Sequence, residues 1–250
     1  SLDRCSAPVD FKDHAAYLAA VTDAAQRSLP AAYIDAILAQ NATVVWEGTP
    51  GSSRILVSTW IKHTFYDSKL GLDNQPLGGD AFITLGRTFQ RCCQATSNTN
   101  GKSKAAVVRR MEELLGLPDN NGKLRVAEFW VNPSDMFRPC ADPSVTTDHC
   151  ERVPPPGVSA DHTTWFADYQ TNSYIQDASS PGYPFTGVGY TYDWGSAAKV
   201  GPSEFVVRKT ALEATKNAKT ELEKVRALYE WVIANGHREP TTRGCGTGDI

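Results

Sequence analysis

The order of apolar segments predicts an α+β fold: a mixed sheet with flanking helices, stabilised by disulfides, plus a C-terminal helical segment. Three observations carry that expectation. Apolar residues recur at helical spacing near residues 10–27, 104–115 and 220–236, whereas short runs rich in β-branched and aromatic residues fall at 54–61, 82–85 and 124–131. Helices separate the strands only in places, unlike the regular alternation of a doubly wound sheet. Six cysteines against two methionines point to cross-links in an oxidising compartment.

Asp10 is placed to cap a first helix running to about Arg27, with Phe11, Ala15, Leu18 and Val21 along one stripe. Pro30 suits the first position of a second helix carrying Tyr33, Ile34, Ile37 and Leu38, and the two would form a helical hairpin. Val44 to Glu47 reads as a short strand, Thr49-Pro50-Gly51-Ser52 as a turn, and Arg54 to Ile61 as a largely buried strand. Gly71 to Asp80 reads as a loop, Phe82 to Leu85 as a third strand, and the segment around Cys92 and Cys93 as a helix. Ser103 caps a helix over Lys104 to Leu115 that presents Val107, Met111, Leu114 and Leu115, with Gly116 as its stop.

Leu124 to Val131 then reads as a buried strand, broken at Asn132-Pro133 because proline supplies no ladder donor. Ser159 caps a helix with Trp165, Phe166, Tyr169 and Tyr174. Gly182 to Gly195 alternates aromatic with small residues, which suits a strand pair with glycine bends or a binding surface. Glu204 to Arg208 is the last strand. The character then turns charged and helical, dividing the chain into an α+β domain at 1–205 and a C-terminal helix and loop at 206–250.

A net charge of -3 offers no general field for phosphate backbones, so nucleic acid is not expected as a partner. The longest apolar stretch, Ala15 to Val21, falls well short of the ~20 residues of a membrane span. The expected partner is a protein, a peptide or a small polar ligand, and no cofactor is implied. Cys5, Cys140, Cys150 and Cys245 lie in polar, Pro- or Gly-rich surroundings, which suits disulfides of a secreted or periplasmic protein better than buried thiols. Cys140 with Cys150 is the first pair, closing a ring of about eleven residues worth ~3 kcal/mol on the chain-entropy account. Cys92 and Cys93 pair most simply with Cys5 and Cys245. No CxxC spacing occurs, which leaves a structural zinc site unsupported.

Few residues suggest chemistry. His63 and Asp67 stand four apart at the end of a strand, a common position for an acid/base pair, although such residues are more often just a solvated loop. Asp193, with Tyr190 and Tyr192, is placed to hydrogen-bond a polar ligand between aromatic platforms, or else is a turn aspartate beside core aromatics. His149 beside Asp148 cannot complete a metal shell from two adjacent residues, so no metal site is assigned. Glu112 and Glu113 read as helix surface charges, and Arg138 as an exposed loop arginine or a carboxylate clamp. No P-loop, GxSxG, HExxH or GxGxxG pattern occurs.

Thr220 to Gly236 is the clearest helix. Thr220 and Glu223 form a capping box, and Leu222, Val225, Leu228, Tyr229, Val232 and Ile233 form one apolar stripe. Lys224, Arg226, Ala227, Leu228, Tyr229, Trp231 and Val232 match a K-x-R-A-[IL]-Y-x-W-V helix. Arg243, Gly244, Gly246, Gly248 and Asp249 match the glycine element that follows it. On these residues, 221–250 resembles the opening of a transglutaminase-like domain of the papain-like thiol fold, and residues 1–205 look like secreted bacterial proteins. The resemblance implies thiol acyl-transfer or peptidase-like chemistry carried by a cysteine, a histidine and an aspartate beyond the matched segment. Cys245 lies within the glycine element, upstream of the expected nucleophile, and so is assigned to a disulfide. The alternative class is a non-catalytic, disulfide-stabilised binding or structural module of the cell exterior.

Overall fold

The computed structural model describes residues 14–26, 32–62, 71, 80–94, 103–119, 121–177 and 180–208, with the side chains of 92–94 and 104 left aside. The chain divides into one unit of 1–66 with 81–207 and another of 67–80 with 208–250. All that follows concerns the first. Cys5, Cys245, His63, Asp67 and the whole helix and glycine element at 220–250 lie outside the described residues.

Helix α1 (His14–Ala25) buries Tyr17, Ala20, Val21 and Ala24, the spacing of one helical face. They pack on Tyr192 and Trp194. The second helix of the expected hairpin does not form: residues 32–38 run without helical structure. Their backbone amides find distant partners instead. Ile34 donates to the Asp148 carbonyl (2.9 Å) and Ile37 to that of Val145 (2.8 Å), while Asp35 donates to Ser203 Oγ at 2.7 Å. Once tertiary acceptors satisfy those groups, the local i−4 bonds lose their advantage. Nor does Val44 to Glu47 form a strand, for only Trp46 bridges to Ile55.

Strands β1 (Ile55–Ile61) and β2 (Ala81–Leu85) pair antiparallel with Ser58 opposite Thr84. Helix α2 (Thr88–Gln94) and helix α3 (Lys104–Leu114) follow. Ser103 accepts from the Ala106 amide to cap α3, as its position predicts. Strand β3 (Arg125–Val131) pairs with β1 along seven residues, Ile55 opposite Val131 and Ile61 opposite Arg125. A one-turn 3-10 helix at Pro133–Asp135 leads to β4 (Met136–Phe137).

Helix α4 (Ala160–Ser173) is capped by Ser159, whose hydroxyl accepts from the His162 amide. Strands β5 (Tyr190–Asp193) and β6 (Lys199–Ser203) form a two-stranded sheet, and β7 (Phe205–Val207) completes a five-stranded sheet in the order β3-β1-β2-β7-β4. The fold is α+β, and every strand pairing among the described residues is antiparallel.

One expectation about burial fails here. Strand β3 is an edge strand, not a buried one: Leu124, Val126 and Trp130 are 59%, 49% and 36% exposed. Its apolar run reflects one strand partner and a face that no helix fully covers. Of the aromatic segment before Gly195, read as a strand pair or a binding surface, all four residues of β5 are buried, while Tyr183 stays 44% exposed.

The Cys140–Cys150 disulfide is present, with Cα atoms 6.3 Å apart. Arg138, expected at the surface, is fully buried. Its Nε donates to the Ser144 carbonyl at 3.1 Å, and one terminal nitrogen donates to the carbonyls of Asp35 and Thr147 at 2.9 Å. Its guanidinium also lies 4.6 Å from the Phe205 ring centre. The ring made by the disulfide is thus filled by a cation that satisfies its inward-facing carbonyls.

Candidate functional site

The even-numbered residues Ser58 and Trp60 of β1 and Phe82 and Thr84 of β2 share one face of the sheet, since side chains alternate along a strand. Over that face lie α3 and β5. Trp60 packs with Phe89, Met111 and Leu114, and Thr191 Oγ1 donates to the Leu114 carbonyl at 2.7 Å. Gly116 ends the helix in the left-handed region (φ 63°), where an added Cβ would stand 3.1 Å from the Tyr192 carbonyl oxygen, so the chain turns tightly against β5.

Where the helix stops, the layers part and leave a chamber of about 460 Å³. Phe82, Leu117, Tyr169, Tyr183, Phe185 and Tyr190 make its apolar and aromatic wall. The wall is itself ordered: Tyr169 packs 5.1 Å from the Phe82 ring and edge-on to Phe185 at 4.8 Å. A narrower recess of about 60 Å³ continues toward Trp60, sharing Phe82, Lys123, Thr191 and Glu204 with the chamber. Lys62 and Tyr183 are the exposed members of the lining and mark its mouth.

Among the described residues, three charged side chains reach this space: Lys62, Lys123 and Glu204. Glu204 sits between β6 and β7. Its amide donates to the Gly189 carbonyl at 3.0 Å, and its carboxyl has no hydrogen-bond or ion-pair partner among the described residues. Desolvation alone pushes that carboxyl up to about 8. Lys123 follows a turn in which its amide donates to Asn121 Oδ1 at 2.8 Å. Burial depresses its ammonium below the ordinary lysine range. No ion pair joins Lys123 to Glu204, although both border the recess. Several other polar groups of the lining are engaged: Tyr192 OH donates to Asp23 Oδ2 at 2.7 Å, and the Thr186 and Thr191 hydroxyls donate to the Tyr190 and Leu114 carbonyls; burial pushes the Tyr190 hydroxyl up to about 12.

Of the residues singled out by sequence, Tyr190 and Tyr192 line the chamber and Asp193 does not. Asp193 is wholly buried and takes a two-pronged bond from Arg110, Nη1 to Oδ1 at 2.8 Å and Nη2 to Oδ2 at 2.7 Å. Its Oδ1 also accepts from the Gly195 amide at 3.1 Å. It is not part of the chamber wall, and His63 and Asp67 lie outside the described residues. Glu112 and Glu113, expected on the surface, are both buried. Glu112 accepts from the amide and side chain of Asn121, and Glu113 accepts from Arg109 Nε at 3.2 Å. Burial raises Glu113, and the arginines beside it oppose that rise.

Sequence reasoning passed over Glu204 and Lys123. The one signal was an acidic residue set directly before the apolar triplet Phe205-Val206-Val207. Comparison with protein-family models, with curated proteins and with solved structures gives no match for this chain.

Proposed function

We propose that the unit of residues 1–66 and 81–207 acts as a disulfide-stabilised, non-catalytic binding module of the cell exterior whose ligand site is the tyrosine-walled chamber. The observation that carries this reading is the chamber itself. Its ~460 Å³ lies in the range of small-molecule sites, its wall is mostly apolar, and its few charged groups are unpaired among the described residues. Buried charges without partners cost stability, so their retention suits a role in which a ligand supplies the partner. The Cys140–Cys150 link supports an extracellular location.

The test is a thermal-shift screen of small amphipathic compounds on the full chain, repeated on Leu117→Trp, which fills the chamber. Binders that raise Tm in the parent and not in the filled variant support the reading. Shifts that survive filling, or none at all, sink it.

A second reading rests on the Lys224–Asp249 pattern: the module is attached to a transglutaminase-like domain and delivers substrate to it. The coding sequence beyond residue 250 decides between them. A Gly-x-Cys motif followed by a histidine and an aspartate supports the thiol chemistry, and their absence removes it.

A further inference from the structure

The charges around the chamber do not balance in the way a cation site requires. Two lysines and one carboxyl reach it, none of the three paired among the described residues. The carboxyl titrates near 8, so at pH 7 Glu204 stands mostly as a neutral donor and acceptor. Counted over the described lining residues, the chamber is positive at neutral pH, and the half-buried Lys123 has no carboxylate partner among them.

We infer that the chamber takes a small carboxylate with an apolar or aromatic body, its anion seated between Lys123 and Glu204 and its body against Tyr169 and Leu117. The inference rests on the binding reading above and names the ligand's chemical class. A carboxylate accepts from the ammonium and from the protonated Glu204 carboxyl together, whereas an incoming ammonium would face two lysines and find a carboxyl that must first give up its proton. Lys62 at the mouth adds attraction for the same sign of charge. The aromatic wall of Phe82, Tyr169 and Phe185 favours a flat apolar body over a fully hydroxylated one.

The experiment compares three probes that share one body, 3-phenylpropionate, 3-phenylpropanol and 3-phenylpropylammonium, on the full chain at pH 7 by calorimetry and ligand-observed NMR. The propionate is expected to bind about tenfold or more tighter than either of the others, the worth of one charge-assisted hydrogen bond. Lys123→Met is expected to abolish that preference and Lys123→Arg to keep most of it, while Glu204→Gln, which retains a donor, changes it by about threefold at most. Tightest binding by the ammonium probe, lost in Glu204→Gln, overturns the inference. Equal binding of propionate and propanol also overturns it but leaves the chamber as a binding site. Failure of all three up to about 5 mM, with circular dichroism confirming the fold, overturns both readings.

Discussion

Glu204 is held at a cost that pH reveals. Its carboxyl binds a proton more tightly in the folded chain than in the unfolded one, where the ordinary value is 4.5, because burial disfavours the ionised form and no donor offsets it. The folded state therefore carries the extra proton between 4.5 and about 8, and the stability this provides is complete below that window and lost as pH rises through it. Glu204→Gln is expected to flatten that slope. Urea unfolding should show the variant more stable than the parent by about 1–3 kcal/mol at pH 8.5 and nearly equal to it at pH 4.

Arg110 and Asp193 present the opposite case, two buried charges that satisfy each other. Arg110→Met leaves Asp193 uncompensated and is expected to cost about 3–5 kcal/mol in chemical denaturation, whereas Arg110→Met with Asp193→Leu should recover a large part of that loss. Little of this was legible in the sequence. The partners lie 83 positions apart, and no local spacing records which buried face a helix arginine will meet.

Among the elements, the helices were the most readable. Ser103 and Ser159 stand where capping requires a short hydroxyl, and both hydroxyls accept an amide from the first helical turn. Ser103→Ala and Ser159→Ala are each expected to lower stability by about 1 kcal/mol, measurable as additive shifts in denaturation midpoint. Strands β1 and β2 were readable too, since their apolar runs are long enough to decide for a sheet. The failures share a cause. Residues 32–38 carry apolar residues at helical spacing, yet Ile34 and Ile37 are held by carbonyls of the disulfide loop more than a hundred residues away. β3 looked interior because its apolar run does not record how many strands and helices will cover it. Period and composition are local quantities, and strand order is not.

For the molecule entire, the Cys140–Cys150 loop links the parts that sequence separates. Its carbonyls hold residues 34 and 37 by backbone bonds, Arg138 fills its interior, and His162 Nε2 of α4 lies 2.7 Å from the Cys140 carbonyl oxygen. Replacing both cysteines by serine is expected to cost about 3 kcal/mol of global stability under non-reducing conditions, with hydrogen exchange rising first at Ile34, Ile37 and the loop. A parent protein whose stability does not change on reduction would contradict a structural role for the link.

The amino-acid sequence alone determined the α+β class, the capped helices, the two central strands and the first disulfide, because each depends on residues close together along the chain. Only the tertiary structure decided that β5 is core, that β3 is an edge, and that Arg138, Glu112 and Glu113 are buried. It alone brought Lys62, Lys123 and Glu204 to one chamber. Burial and charge pairing depend on which layers meet, and that is settled by contacts between segments far apart in sequence.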